Sequence, residues 1–308
     1  MAERPDRIVV VGAGVVGLSC ALRLLQAGHR VDVLARDLPR ETTSSVAAAL
    51  WYPHLALPQD KVTAWGKSAY EEFARLAAEG VDGVAMRTGT ELLAEPTPDP
   101  WWIDAVPGLE RVDPRSPYPD AWSFVTPVID MPRYLTWLAE QVVEAGGTIT
   151  RMALARLPAA PLVVNCSGLG SRVLAGDPTT IPVRGQVVVV EQVGLDEWWL
   201  AEDAGRAGAA TYVIPRTTDI VLGGTDDEGD WSRTPTPEIA ADIVRRAARI
   251  VPEVGQAKVL RHQVGLRPVR PEVRLERVGD VVHCYGHGGA GVTLSWGCAD
   301  DVTALADR

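Results

Sequence analysis

Arg7-Ile8-Val9-Val10-Val11-Gly12-Ala13-Gly14-Val15-Val16-Gly17-Leu18-Ser19-Cys20-Ala21-Leu22 is the stretch on which the reading of the chain turns. It opens with an unbroken β-branched run, the composition of a strand covered on both faces. Leu18, Leu22 and Leu25 then recur at helical spacing, and Gly28 follows where that helix would end. Arg30–Leu34 reads as a second strand, so strand, helix and strand fit within about 30 residues as a βαβ unit with a parallel sheet. Between strand and helix, Gly12-Ala13-Gly14-Val15-Val16-Gly17 has the G-x-G-x-x-G form. The first glycine permits a tight turn, the second lets backbone approach a pyrophosphate, and the third lets helix pack on strand. The helix start then turns free N–H groups and its positive dipole end toward phosphates. A dinucleotide is the expected ligand. Which one stays open at this point: Ala35 stands where a ribose-binding acid is usual, followed by Arg36, suited to a 2′-phosphate, and Asp37, suited to a ribose.

Outward from this unit the pattern changes. Lys61–Ala78 is amphipathic at helical spacing, with Trp65, Ala69, Phe73 and Leu76 along one side. Glu95–Pro127 is dense in prolines and aromatics and reads as irregular, aromatic-packed structure. Pro132–Ala145 is a helix with Asp130 as its candidate N-cap, and strands follow at Thr148–Met152 and Leu162–Asn165. β-branched runs at Val187–Val190, Tyr212–Ile214 and Ile220–Leu222 mark a strand-rich block, and Thr236-Pro237-Glu238 opens another helix. Val281–Tyr285 then feeds a glycine-rich turn and a last helix, repeating the opening βα step. The chain is expected to return to its first sheet, which makes two discontinuous domains rather than two halves.

Composition narrows the function. The 308 residues carry 30 Lys+Arg against 40 Asp+Glu, a formal charge of −10, which argues against a general nucleic-acid or anionic-membrane binder and leaves room for a local basic pocket for a small anion. The apolar opening stretch, Ile8–Leu22, has 15 uncharged residues, short of the roughly 20 a membrane helix needs. Cys20, Cys166, Cys284 and Cys298 form no C-x-x-C pair and lie in apolar surroundings, so they read as buried free thiols. His283 and His287 flank Cys284, but one falls on a strand and the other in a glycine loop, so no metal site is expected. No G-x-S-x-G elbow is present for a hydrolytic serine.

Three further motifs carry chemistry. Glu41-Thr42-Thr43-Ser44-Ser45, ahead of the small residues Val46 to Ala49, places hydroxyls before a turn that admits close backbone approach. Gly265-Leu266-Arg267-Pro268-Val269-Arg270-Pro271 is forced extended by two prolines, which sets Arg267 on a stiff backbone. A guanidinium so held suits a bidentate grip on a carboxylate; the plainer alternative is an ion pair with a protein acid. Arg270 and Arg274 are expected to pair with Glu272 or Glu276. His287-Gly288-Gly289-Ala290-Gly291-Val292-Thr293 opens the last helix, and its N–H groups could face the pyrimidine edge of a reduced flavin.

Together these stretches resemble the FAD-dependent D-amino-acid oxidase family over nearly the whole chain. Arg267-Pro268-Val269-Arg270-Pro271 and Tyr285-Gly286-His287-Gly288-Gly289 are the most specific matches, joined by Thr42 to Trp51, Asn165-Cys166-Ser167-Gly168 and Leu222-Gly223-Gly224-Thr225. The resemblance implies an α/β fold, with a Rossmann-like FAD-binding domain (1–60, 128–180 and 258–308). A substrate-binding domain (61–127 and 181–257) would be built on a mixed or antiparallel sheet. It implies that Arg267 grips the substrate α-carboxylate, that the Tyr212 hydroxyl assists, and that backbone at Gly289 receives the amino group. Non-covalent FAD contacts would fall at Gly12, Ala13, Gly14, Val15, Val16, Gly17, Arg36, Asp37, Thr42, Thr43, Ser44, Ala49, Leu50, Leu154 and Ser167. Arg267, Gly288, Gly289, Ala290, Gly291, Val292 and Thr293 complete that set. No side chain acts as acid or base in this family: hydride passes from the substrate to FAD, and dioxygen is reduced to hydrogen peroxide. The partners implied are a D-amino acid and dioxygen, with a homodimer as an open assembly.

Departures sharpen the reading. Ala49 replaces a usual glycine, and Ala35-Arg36-Asp37 inverts the usual acid–arginine order. The segment between Asp203 and Tyr212 lacks a lid tyrosine, so an open, glycine-flexible entrance is expected. His54 matches the D-aspartate enzymes of the family, whereas Asp226-Asp227 stand where those enzymes place an arginine, with Arg216 nearby. A carboxylate there repels a second substrate carboxylate, which favours neutral or basic D-amino acids. The alternatives are a D-aspartate, glycine or amine oxidase of the same fold, a flavin sensor without turnover, and an NAD(P)-dependent dehydrogenase. The final residues carry no peroxisomal tripeptide, in line with a cytoplasmic bacterial protein.

Overall fold

The computed structural model describes residues 7–53, 55–202 and 210–308. Among them run fourteen strands and six α-helices in one mixed α/β chain. The opening unit is β1 (Ile8–Val11), α1 (Val15–Gln26) and β2 (Val31–Ala35), followed by α2 (Gln59–Ala78). β3 (Val84–Leu93), β4 (Glu110–Arg111), β5 (Asp120–Ile129), α3 (Met131–Glu144), β6 (Thr148–Arg151), β7 (Leu162–Asn165) and the short α4 (Ser171–Leu174) come next. β8 (Ile181–Glu191), β9 (Trp198–Glu202), β10 (Ala210–Pro215), β11 (Asp219–Gly223), β12 (Asp227–Glu228) and α5 (Pro237–Ile250) form the middle of the chain. β13 (Val259–Val278), β14 (Val281–His287) and α6 (Gly291–Ala306) close it.

The strands join in the order β4-β5-β3-β9-β10-β11-β8-β13-β14-β7-β1-β2-β6, with β12 on β8. From β14 to β6 every pairing is parallel. The late strand therefore does rejoin the first sheet, beside β7, and α6 packs on α1. Parallel strands need covering on both faces, and β1 accordingly buries Ile8, Val10 and Val11. Beyond β14 the sheet is antiparallel except where β3 meets β9. A second core forms there, with Ile243, Ala247 and Ile250 of α5 seated on Val188, Val190, Ile220 and Leu222.

Two readings need correction. Glu95–Pro127 is not irregular throughout: from Asp120 it is β5, paired residue for residue with β3. The density of tryptophan there serves packing across strands, as Trp102, Trp122, Phe124 and Trp198 form a chain of edge contacts. Arg270 pairs with Asp177 (2.9 Å) and takes only the main-chain carbonyl of Glu272, while Arg274 does pair with Glu276 (2.7 Å). His54 and residues 203–209, which bear on substrate choice and on the entrance, lie outside the described residues. Among the described residues no helix is long and apolar enough to cross a membrane.

Candidate active site

One cavity of about 1340 Å³ runs from the Gly12 turn to Arg267, larger than the usual 300–1,000 Å³ small-ligand site. At its inner end the three glycines each meet a different constraint. Gly12 has φ +115°, and a Cβ there would lie 2.4 Å from the Cys166 carbonyl oxygen. A Cβ on Gly17 would stand 2.0 Å from the Gly12 oxygen, so strand and helix approach only because both are bare. Gly14 faces the cavity and caps α1 with no side-chain bond. Val15 N–H donates to Ser44 Oγ (3.1 Å), which ties the hydroxyl-rich turn to the helix start. The first helical bond is Leu18 N–H to Gly14 O, so the N–H groups of Val16 and Gly17 precede it. Ser167 Oγ is buried without a hydrogen-bond partner among the described residues.

At the other end two side chains are seated by glycines on neighbouring strands. The Arg267 guanidinium lies over Gly185, where a Cβ would come within 2.6 Å of its carbon and both terminal nitrogens. The Tyr212 ring lies over its cross-strand partner Gly223, where a Cβ would come within 2.1 Å. Burial pushes the Tyr212 hydroxyl above its usual pKa, and the charge of Arg267 opposes that rise. Arg267 is not free, however. Its Nη1 donates to Asp226 Oδ1 (2.7 Å) and to the Thr225 carbonyl (2.9 Å). Burial raises the Asp226 pKa while Arg267 pulls it back. Arg216 takes no part: it is buried against Asp130 and Asp219 and donates to the Ala47 carbonyl.

Of the residues expected from sequence to touch cofactor or substrate, all line this cavity except Ala290 and Thr293. Those two are buried in the base of α6, where Thr293 Oγ1 accepts from Tyr52 N–H (3.0 Å) and donates to its carbonyl (3.1 Å). Arg36 and Asp37 reach the cavity paired with each other at 2.6 Å. Sequence reasoning passed over the half-buried Tyr52 and the buried Glu91, a pair joined at 2.6 Å. It also missed that the cysteines converge. Cys20, Cys166 and Cys284 bring their sulfurs within 4.8 Å of one another, as do Cys284, His287 and Cys298 their ligand atoms.

The match to known proteins decides what this cavity serves. The family model described as DAO, FAD dependent oxidoreductase, fits residues 7–305. The chain belongs to that family. It is 46% identical to the D-amino-acid oxidase of Rubrobacter xylanophilus over 97% of this chain and 95% of that protein. It is 45% identical to the D-amino-acid oxidase of Streptomyces coelicolor over 99% and 98%. The fold is shared with glycine oxidase from Geobacillus kaustophilus at a TM-score of 0.83, with 19% identity and coverage of 98% and 95%. The residues present fit FAD. The glycine turn leaves no room for Cβ atoms, the α1 start offers N–H groups to a pyrophosphate, and Ser167 Oγ offers a buried hydroxyl in need of a partner.

Proposed function

We propose that the chain oxidises D-amino acids, neutral and cationic ones in preference, giving 2-oxo acid, ammonia and hydrogen peroxide. The observation that carries this reading is a guanidinium and a phenol, Arg267 and Tyr212, on the wall of the cavity that the Gly12 turn opens. FAD held there would supply a two-electron acceptor for the hydride of the substrate Cα–H, with dioxygen as the final oxidant. Gly12, Gly14, Ser44 and the first turn of α1 would hold its phosphates, and the Gly288–Gly291 loop would flank its ring. The parts 1–60, 128–180 and 258–308 would hold this cofactor, and 61–127 with 181–257 would supply the substrate wall, Arg267 reaching across from the first set.

Arg267 orients the substrate by its α-carboxylate, and positioning is most of what the protein must supply when the cofactor is itself the electron acceptor. The incoming carboxylate replaces that of Asp226 on Nη1. Asp226 then faces the cavity without its partner, an arrangement relieved by a cationic side chain and aggravated by an anionic one. That weighs against D-aspartate as the preferred substrate. The test is a visible spectrum of the purified yellow protein, recorded before and after anaerobic D-alanine, L-alanine, glycine and sarcosine. Bleaching by D-alanine alone is expected. Bleaching first by glycine or sarcosine, or a colourless protein, overturns the reading.

A further inference from the structure

Glu91 lies near the C-terminal end of β3 with only 2% of its surface exposed. Its neighbours across the sheet are Trp122 on β5 and Leu200 on β9, and Leu200 is in turn paired with Tyr212 on β10. Paired residues point to one face, so Glu91 shares a cross-strand row with the substrate-side tyrosine, about 10 Å away at ordinary strand spacing. Glu91 does not line the cavity, but Tyr52 does, and the Tyr52 hydroxyl meets Glu91 Oε1 at 2.6 Å. Oε2 is buried without a hydrogen-bond partner among the described residues. Tyr52 is also bound by its main chain to Thr293, in the first turn of α6 and four residues past Gly289. A carboxyl has thus been placed where hydrophobic strands cover it, and the side chain hydrogen-bonded to it belongs to a residue that lines the cavity.

We propose, resting on the function argued above, that Glu91 is the proton store for the substrate's ammonium group, reached through the Tyr52 hydroxyl. A D-amino acid arrives as RCH(NH₃⁺)COO⁻, and hydride leaves its Cα readily only when the nitrogen holds a lone pair. The ammonium gives one proton to the Tyr52 oxygen, and the Tyr52 proton passes to ionised Glu91. The products are the neutral amine, tyrosine unchanged and a protonated carboxyl, so charge and atoms balance. Glu91 acts through Tyr52 and is a positioning residue rather than a catalytic one.

The electrostatics suit such a store. Burial raises the Glu91 pKa to about 8; Tyr52 opposes the rise and Glu202 at the end of β9 adds to it. β5, on the other side, presents uncharged Trp122. A carboxyl of that strength is ionised from about pH 8 upward, where it can take a proton from an ammonium and release it afterwards.

Glu91→Gln preserves shape and removes the titration. The expected result is a kcat/KM for D-alanine lower by on the order of 100-fold, without the rising limb near pH 8. The limb that remains belongs to the substrate's own ammonium. Tyr52→Phe should remove the same kinetic limb while Glu91 still titrates. A second readout needs no turnover. The folded pKa lies above the ordinary 4.5, so the native state alone holds the proton between pH 4.5 and about 8 and stability falls across that window. The Tm of Glu91→Gln minus that of the unaltered protein should therefore widen from pH 4.5 to about 8 and then level. Oxidation with an unaltered pH profile, or a flat Tm difference, overturns the relay alone. If no D-amino acid is oxidised at all, the functional reading falls and the relay with it.

Discussion

The parallel and antiparallel parts of the sheet build their shares of the cavity by opposite means. From β14 to β6 the working groups are mostly backbone: the Gly12 turn, the start of α1 and the glycine loop before α6. In the antiparallel part they are side chains, Arg267 and Tyr212, each seated on a glycine of the next strand. A pyrophosphate is alike in every dinucleotide, so N–H groups and dipoles suffice to hold it. Handedness and substrate choice need atoms fixed in three dimensions, which only side chains on a rigid sheet supply. Loss of a glycine should therefore cost different things in the two places.

Gly12→Ala attacks the backbone side and should have the largest effect. At φ +115°, with a carbonyl oxygen 2.4 Å from the new methyl, the turn must open. A loss on the order of 3 kcal/mol in denaturant melts is expected, together with a protein purified without yellow colour. Gly185→Ala attacks the side-chain side. Its methyl meets the far end of a flexible arginine rather than backbone, so the fold and the FAD spectrum should survive. The guanidinium is displaced, and kcat/KM for D-alanine should fall roughly tenfold to a hundredfold, mostly through KM. Equal FAD loss in both variants would erase the distinction.

Asp226→Asn tests the same wall from its electrostatic side. Removing the charge releases Arg267 from a 2.7 Å pair and removes the carboxylate left behind when substrate binds. Neutral D-amino acids should gain and cationic ones lose, shifting the ratio of their kcat/KM values about tenfold, the equivalent of roughly 1.4 kcal/mol. An unchanged ratio would mean that the Asp226 carboxylate leaves the site on binding.

Legibility followed the same division. The βαβ unit, the late return to the first sheet and the glycine turns stood in short local patterns, since strand, turn and helix there lie within one stretch of chain. β9 went unread because Trp198 to Ala201 is buried on both faces and shows no alternation. Glu91, inside Thr90-Glu91-Leu92, looks like a solvated strand residue, and only the pairing with β5 and β9 covers it. The Arg267–Asp226 pair spans 41 residues, and the convergence of the four cysteines joins α1, β14, α6 and the end of β7. Register brings these together, and register is not written locally. A stiffly held Arg267, with an ion pair to some protein acid as one of its two readings, was legible from its prolines; that the acid is Asp226 was not.

The smallest expected effect concerns Ala49, a residue that sequence comparison alone left looking neutral. Its φ is +58°, in the left-handed region that an L side chain enters at a cost of about 1 kcal/mol. The position is held there because Ala49 O accepts from Ile129 N–H at 3.0 Å, stitching the hydroxyl turn to β5. The methyl is buried, so Ala49→Gly gives up some apolar contact while removing the backbone strain. Because Gly also gains freedom in the unfolded chain, the net gain should be below 1 kcal/mol, roughly 0.5, read as a rise in Tm of a few degrees with the FAD spectrum intact. A fall in Tm would show that the methyl's packing outweighs the strain. Ala49 would then be a stabilising replacement at a backbone-built position.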